Sequence, residues 1–165
     1  MLACVNTYAS ISVGSLNDFQ NGTTQGWQVG GSGTNPVIDT GGWYGTLDTF
    51  LKATSIGGGG ANSKLVIFNS SSTWTGNWTS AGITYITCQV NNLSGSAINL
   101  RLAIDGAGGK YCTTNSYFVD SASGWITLVI PTTASSWTSV GGTNLSSTLA
   151  SVSEMRFLNN SSASW

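Results

Sequence analysis

Residues 98–105, which read Ile-Asn-Leu-Arg-Leu-Ala-Ile-Asp, place a large apolar side chain at every second position. In an extended chain these four apolar side chains share one face, and the residues between them share the other. Such alternation is typical of an antiparallel sheet with one buried face and one face in water. Ile86, Cys88 and Val90 repeat the spacing and predict a second inward-facing row.

Similar short segments recur between breaks rich in Gly, Ser and Asn, which predicts a sandwich of short strands. The predicted strands are residues 16–20, 25–29, 49–54, 64–69, 83–91, 97–105, 110–119, 125–131 and 152–158. Residues 132–139 and 144–150 are the candidates for short helices or loops, with Asn144 or Thr143 as the cap of the second. We therefore predict an all-β antiparallel sandwich over residues 16–165, within the range of one domain.

Composition excludes several classes of function. The 165 residues carry a net charge of −1, only 7% of them are charged, and no basic run is present, which argues against nucleic acid. The absence of His removes Ser-His-Asp and Cys-His catalysis and His-ligated metal sites. No apolar run approaches the ~20 residues of a membrane span. Low charge with abundant Asn, Ser and Thr suits an extracellular or cell-surface protein.

The first residues allow two interpretations. Thr7-Tyr8-Ala9 looks like the end of a signal peptide, so residues 1–15 are either a signal remnant or an extra N-terminal strand of alternating pattern. Three cysteines form at most one disulfide, and we favour Cys88 as a small buried side chain instead.

The segment Asp-Phe-Gln-Asn-Gly-Thr-Thr-Gln-Gly-Trp at residues 18–27 resembles the first hairpin of a known family. That family is the secreted bacterial jelly-roll modules, which include galactose-binding-like and carbohydrate-binding-module-like domains, many on proteins with PEP-CTERM-type sorting signals. Residues 64–69, 100–104 and 155–158 follow the same pattern in order. The resemblance implies a jelly-roll β-sandwich and secretion.

Such modules often hold a structural calcium with an acid after the Phe and an Asp in the last strand. Here Gln20 stands where those modules have the acid after the Phe, and the usual last strand with its Asp is missing. The resemblance therefore leaves Asp18 as the candidate calcium ligand. The missing strand also predicts an open slot. Residues 1–14, from the same chain or from a neighbouring subunit, would fill it, and the second case would build a filament.

Aromatic residues give the strongest functional signal. Trp27 and Trp125 lie in predicted strands and are expected to anchor the core. Five others lie in loops rich in Gly, Ser, Thr and Asn, where an exposed ring can stack on a sugar: Trp43, Tyr44, Trp74, Trp78 and Trp137. The alternative is that these rings cap the ends of the sandwich or join subunits.

Three functions follow from these patterns. The first is a non-catalytic module that binds a polysaccharide or glycan through the loop aromatics. The second is a structural subunit of an extracellular filament or sheath. The third is a small polysaccharide-degrading enzyme, for which Asp39 and Asp48 are the best pair of carboxylates; both also suit turn positions.

Overall fold

The computed structural model describes residues 10–30, 34–57 and 64–165, and all strand pairs in it are antiparallel. The strands are β1 (Val37–Gly42), β2 (Gly45–Lys52), β3 (Val66–Asn69), β4 (Tyr85–Asn91), β5 (Ile98–Gly106), β6 (Tyr111–Thr113), β7 (Tyr117–Val119), β8 (Trp125–Pro131), β9 (Trp137–Ser139) and β10 (Val152–Asn159). A 3₁₀ turn covers Ala134–Ser136, and helix α1 covers Leu145–Leu149. The predicted all-β, antiparallel class is confirmed, whereas the jelly-roll strand order stays a prediction.

The largest sheet has six strands. Its order is β3-β10-β5-β6-β9, and β7 pairs with the first residues of β5. At its centre Leu102 of β5 lies opposite Phe157 of β10. The strand predicted from residues 97–105 is therefore the middle of the molecule, where both edges of β5 are hydrogen-bonded.

Two further strand pairs complete the fold. Strands β4 and β8 form a ribbon, and β1 and β2 form a hairpin. The main core includes Ile86 and Ile130 of the ribbon together with Leu102, Ile104 and Met155 of the six-stranded sheet. The ribbon and the sheet are thus the two layers of a sandwich, as the two inward rows predicted.

The middle of the opposite face of β5 is covered, which corrects the expectation from the alternating pattern that this face lies in water. Arg101 is only 4% exposed and Ala103 is fully buried. Ala163 and Trp165, in the segment that follows β10, pack against this second face, where Ala103, Cys112 and Leu158 form a small core of their own. Local alternation could not reveal this cover, because it comes from about sixty residues further along the chain.

Local chemistry decides which other predictions hold. Helix α1 begins where expected, and the Asn144 side chain accepts a hydrogen bond from Ser147 N at 3.1 Å. Residues 16–20 and 25–29 are not strands. Phe19 and Gln25 have positive φ values of 61° and 49°, which turn the chain, and only Gln28 forms a bridge, with Phe68.

The N-terminal predictions fall mostly outside the described residues, which exclude 1–9 and with them Cys4. Ile11 is buried in the core of its own chain, and its N–H donates to Thr75 O at 3.1 Å. Cys88 and Cys112 are free thiols. They lie in different cores, since Cys88 packs on the main core and Cys112 belongs to the second face.

Candidate functional site

The turn between β1 and β2 carries two exposed aromatic side chains next to each other, and one of them, Tyr44, is the most exposed aromatic residue in the described part of the chain. Gly42 and Gly45 pair across the hairpin, and Trp43 and Tyr44 form the two-residue connection between them. Tyr44 is 81% exposed and Trp43 is 41% exposed. The sequence therefore placed these two rings correctly in a solvent-exposed loop.

Asp48 holds this turn in shape. Its Oδ2 atom accepts a hydrogen bond from Tyr44 N at 3.0 Å. A Cβ atom on Gly42 would collide with the same carboxylate, so a larger residue there would push the Asp48 side chain away from Tyr44 N. The backbone that carries the two rings is thus fixed by the hairpin itself.

The hairpin is also attached to the ribbon. The ring of Phe50 meets the ring of Trp125 edge to face, with centroids 5.1 Å apart. The Trp125 indole donates to Gly41 O at 3.2 Å. Trp125 is half-buried, so it joins the hairpin to the sandwich instead of filling the main core as the sequence predicted.

The other three predicted binding residues lie elsewhere. Trp78 is 1% exposed and Trp137 is 8% exposed, so the expectation that their rings face solvent is wrong. The Trp78 indole donates to Trp74 O at 2.9 Å inside the fold. Loop-type neighbours in the sequence did not reveal this burial, because the covering residues come from other elements.

Trp74 is half-buried in a cluster of aromatic rings whose two indoles share a hydrogen-bond acceptor. Its ring centroid lies 6.4 Å from that of Trp27, and both indole N–H groups donate to Asn17 Oδ1. Trp27 in turn stacks on Phe157 with centroids 5.7 Å apart. This cluster ties the segment before β1 to the sheet, and it confirms Trp27 as a core anchor.

The two carboxylates considered for catalysis are engaged in holding the hairpin. Asp39 pairs with Lys52 at 2.9 Å, and this hydrogen bond lowers the pKa of Asp39. A glycosidase needs one carboxyl whose pKa is raised, so that it can donate a proton. Asp39 is shifted in the opposite direction, and Asp48 accepts hydrogen bonds from Tyr44 and Gln20.

The predicted calcium position does not fit a cation. The Gln20 amide nitrogen donates to Asp18 O at 2.9 Å, to Asp48 Oδ1 at 2.8 Å and to Thr49 O at 3.1 Å. An N–H₂ group thus occupies the space among these oxygens. The pKa of Asp18 is lowered mainly because the Gln25 side chain donates to it. Within residues 10–30, 34–57 and 64–165, no group of three His, Cys, Asp or Glu side chains could hold a metal ion.

A groove on another part of the molecule was missed by the sequence reasoning. It is a groove of about 250 Å³ whose lining includes Lys64, Arg156, Asn159 and Trp165. Arg156 Cζ lies 3.4 Å from the ring centroid of Trp165. No local pattern marks this site, because Lys64 just before β3 and Arg156 of β10 are far apart in the sequence and meet only in the folded chain.

No protein-family model, no curated protein and no solved structure matches the chain. In the part of the chain that the structure describes, no helix is long and apolar enough to cross a membrane. The fold and the site together define an all-β protein built from antiparallel sheets, with an aromatic pair presented on a rigid hairpin.

Proposed function

We propose that this protein is a non-catalytic carbohydrate-binding module that acts outside the cell. The observation that carries the proposal is the exposed pair Trp43 and Tyr44 on a turn that Asp48 fixes. The apolar face of a pyranose ring stacks on an exposed aromatic ring, while its hydroxyl groups stay hydrated or bond to nearby polar atoms.

A rigid turn favours this kind of binding. Ordering a flexible side chain or loop costs about 0.5–1.5 kcal/mol per immobilised group, which weakens an already modest sugar contact. Here Asp48 and the contact between Phe50 and Trp125 order the hairpin before any ligand arrives. Tyrosine also has few rotatable bonds, so little entropy is lost when its ring is covered.

The resemblance of residues 18–27 to secreted bacterial jelly-roll modules supports the same function and an extracellular place for the protein. So does the low charge of 7%, which suits contact with neutral saccharides. The engaged state of Asp39 and Asp48 favours binding over hydrolysis.

The test is a binding screen of neutral polysaccharides by affinity electrophoresis, comparing the wild type with Tyr44→Ala. Tyr85→Ala is the matched control, because Tyr85 is 58% exposed on the ribbon. We expect retardation by at least one neutral glycan that Tyr44→Ala reduces and Tyr85→Ala leaves unchanged. Equal loss in both variants, or no retardation by any glycan, would refute the proposal.

A filament or sheath subunit is the second candidate, and one observation favours it. Within the described residues β4 pairs only with β8, so the ribbon has strand edges available to another chain. Light scattering coupled to size exclusion decides between the two. A monomer near 17 kDa favours the binding module, whereas large linear species favour the filament.

A further inference from the structure

The fold separates charges that the sequence distributes evenly. Arg101, Lys110 and Arg156 lie on the second face of the six-stranded sheet, and Lys64 lies at its rim. Four of the five cationic side chains are thus on this side of the molecule.

Acidic side chains are fewer there. Asp105 and Glu154, which are register partners, are the carboxylates that β5 and β10 contribute to this face. Four cationic and two anionic side chains are thus placed there, a sum of +2 over these six groups, whereas the whole chain carries −1. An excess of positive charge around a groove attracts anions and raises their rate of association.

The groove on this face combines cations with a polar wall and an apolar floor. Lys64 and Arg156 supply the positive charge, and no Asp or Glu is among the described residues that line the groove. The floor contains Val66, Phe68 and Leu158. A cyclic ligand with one apolar face and one anionic substituent matches this lining.

One of the lining groups has a hydrogen-bond donor to spare. Arg156 uses Nε and Nη2 to hold Glu154 Oε1, and its Nη1 donates to no partner within the described chain. Arg156 belongs to strand β10, whose backbone is paired on both edges at this residue.

We propose that this groove binds the uronic-acid unit of an acidic polysaccharide. The carboxylate meets Lys64 and Arg156 Nη1, since charge-assisted hydrogen bonds of this kind are short and strong. The sugar ring lies on the apolar floor formed by Val66, Phe68 and Leu158. The volume of about 250 Å³ is below the ~300–1,000 Å³ of sites for drug-sized ligands, which suits one sugar ring.

This inference extends the proposed function to a second saccharide site. It rests on the proposed function only in that both ligands are saccharides. The two sites share no residue. The hairpin tip carries Trp43 and Tyr44, whereas the groove is lined from β3, β10, the segment after β10, and the chain just before β1 and just after β2. Their failures can therefore be separated.

The test is isothermal titration with oligogalacturonate, with its fully methyl-esterified form as the neutral ligand of equal shape. Lys64→Gln removes a groove cation, and Lys52→Gln is the matched control because it makes the same charge change on the hairpin. Arg156→Lys keeps the charge but loses the planar donor group; a thermal melt confirms that this variant is folded. Tyr44→Ala reports on the hairpin tip.

We expect the acidic oligomer to bind at least tenfold more tightly than the esterified one. Lys64→Gln and Arg156→Lys should each weaken this binding by about tenfold, the effect of one charge-assisted hydrogen bond. Lys52→Gln and Tyr44→Ala should leave it unchanged, and 0.5 M NaCl should weaken it.

Three results would overturn the inference. One is equal binding of the acidic and esterified oligomers, and another is an equal loss in Lys64→Gln and Lys52→Gln, which would show attraction by net charge alone. The third is loss of acid binding in Tyr44→Ala but not in Lys64→Gln, which would place the acidic sugar at the hairpin. Neutral glycans that still bind through Tyr44 would then leave the proposed function standing by itself.

Discussion

The guanidinium of Arg156 lies over the ring of Trp165, with Cζ 3.4 Å from the ring centroid. Lys110 Nζ approaches the same ring at 4.7 Å. An indole next to two cations gains electrostatic attraction as well as buried area. Because Trp165 also packs against Ala103 and Cys112, this contact keeps the segment after β10 on the second face of the sheet.

Trp165→Ala should therefore destabilise the protein by about 1–3 kcal/mol, which combines a lost cation–π contact with lost packing. The measurement is the free energy of unfolding in urea. Trp43→Ala is the control, because that side chain is exposed on the hairpin and its removal should cost under about 0.5 kcal/mol. Equal effects of the two substitutions would contradict the assigned role of Trp165.

The sequence predicted what depends on neighbouring residues. The alternation of residues 98–105 found the central strand β5, and the Asn144 cap found the start of α1. Burial depends on distant residues, so Trp78 and Trp137 were expected in solvent although they are in the core. The groove could not be predicted for the same reason: its lining residues come from separate elements, and Lys64 and Arg156 come close together only after folding.

Arg101 holds two segments together through backbone carbonyls. Its side chain donates to the carbonyl oxygens of Thr113 and Thr114 at 2.6 and 3.1 Å, and to those of Asn160 and Ser161 at 2.9 and 2.7 Å. No carboxylate pairs with this buried cation among the described residues. The four carbonyls therefore depend on one side chain.

Arg101→Leu should cost about 3–5 kcal/mol in the free energy of unfolding, because the four carbonyls lose their donor. Arg101→Lys keeps the charge with fewer donors and should lose less. Lys52→Gln breaks an exposed ion pair and serves as the control, with an expected loss under about 1 kcal/mol. A loss in Arg101→Leu no larger than in Lys52→Gln would show that water satisfies these carbonyls.

The side-chain amide of Gln20 donates hydrogen bonds to three oxygen atoms, which are Asp18 O, Asp48 Oδ1 and Thr49 O. A carboxylate in its place would repel these oxygens. Gln20→Glu places a carboxylate beside Asp48 and two carbonyls, and it should lower the melting temperature. Calcium at millimolar concentration should restore part of this loss, because a cation offsets the repulsion.

Gln20→Met separates charge from hydrogen bonding in this experiment. It removes the donor without adding a carboxylate, so its melting temperature should fall but should not respond to calcium. The melting temperature of the wild type should not respond either, since the amide fills the position. An equal calcium shift in all three proteins would show that the ion binds elsewhere.

The hairpin pair of Asp39 and Lys52 predicts a pH dependence. Hydrogen bonding to Lys52 lowers the pKa of Asp39 from 3.8, so the folded state holds this proton less tightly than the unfolded state. The pair thus contributes stability above the unfolded pKa and loses it as the pH falls through the folded pKa.

Asp39→Asn should accordingly make the decline of stability between about pH 5 and pH 2 shallower than in the wild type. Urea unfolding at a series of pH values measures this slope. Lys52→Gln should shift the slope in the same direction, because it removes the other half of the pair. An unchanged slope in both variants would contradict the prediction.

Burial also predicts the reactivity of the two described thiols. Desolvation raises the pKa of Cys88 to about 12, and it raises the pKa of Cys112, which is fully buried. The thiolate is the reactive form, and a thiol whose pKa is raised well above 8 is almost entirely un-ionised at pH 8. In a Cys4→Ser variant, Ellman's reagent at pH 8 should therefore react slowly with the folded protein. The same reagent should detect both thiols at once in 6 M guanidinium, because unfolding exposes them. A thiol that reacts as fast in the folded protein as in the unfolded protein would contradict the packing of Cys88 on the main core or the burial of Cys112.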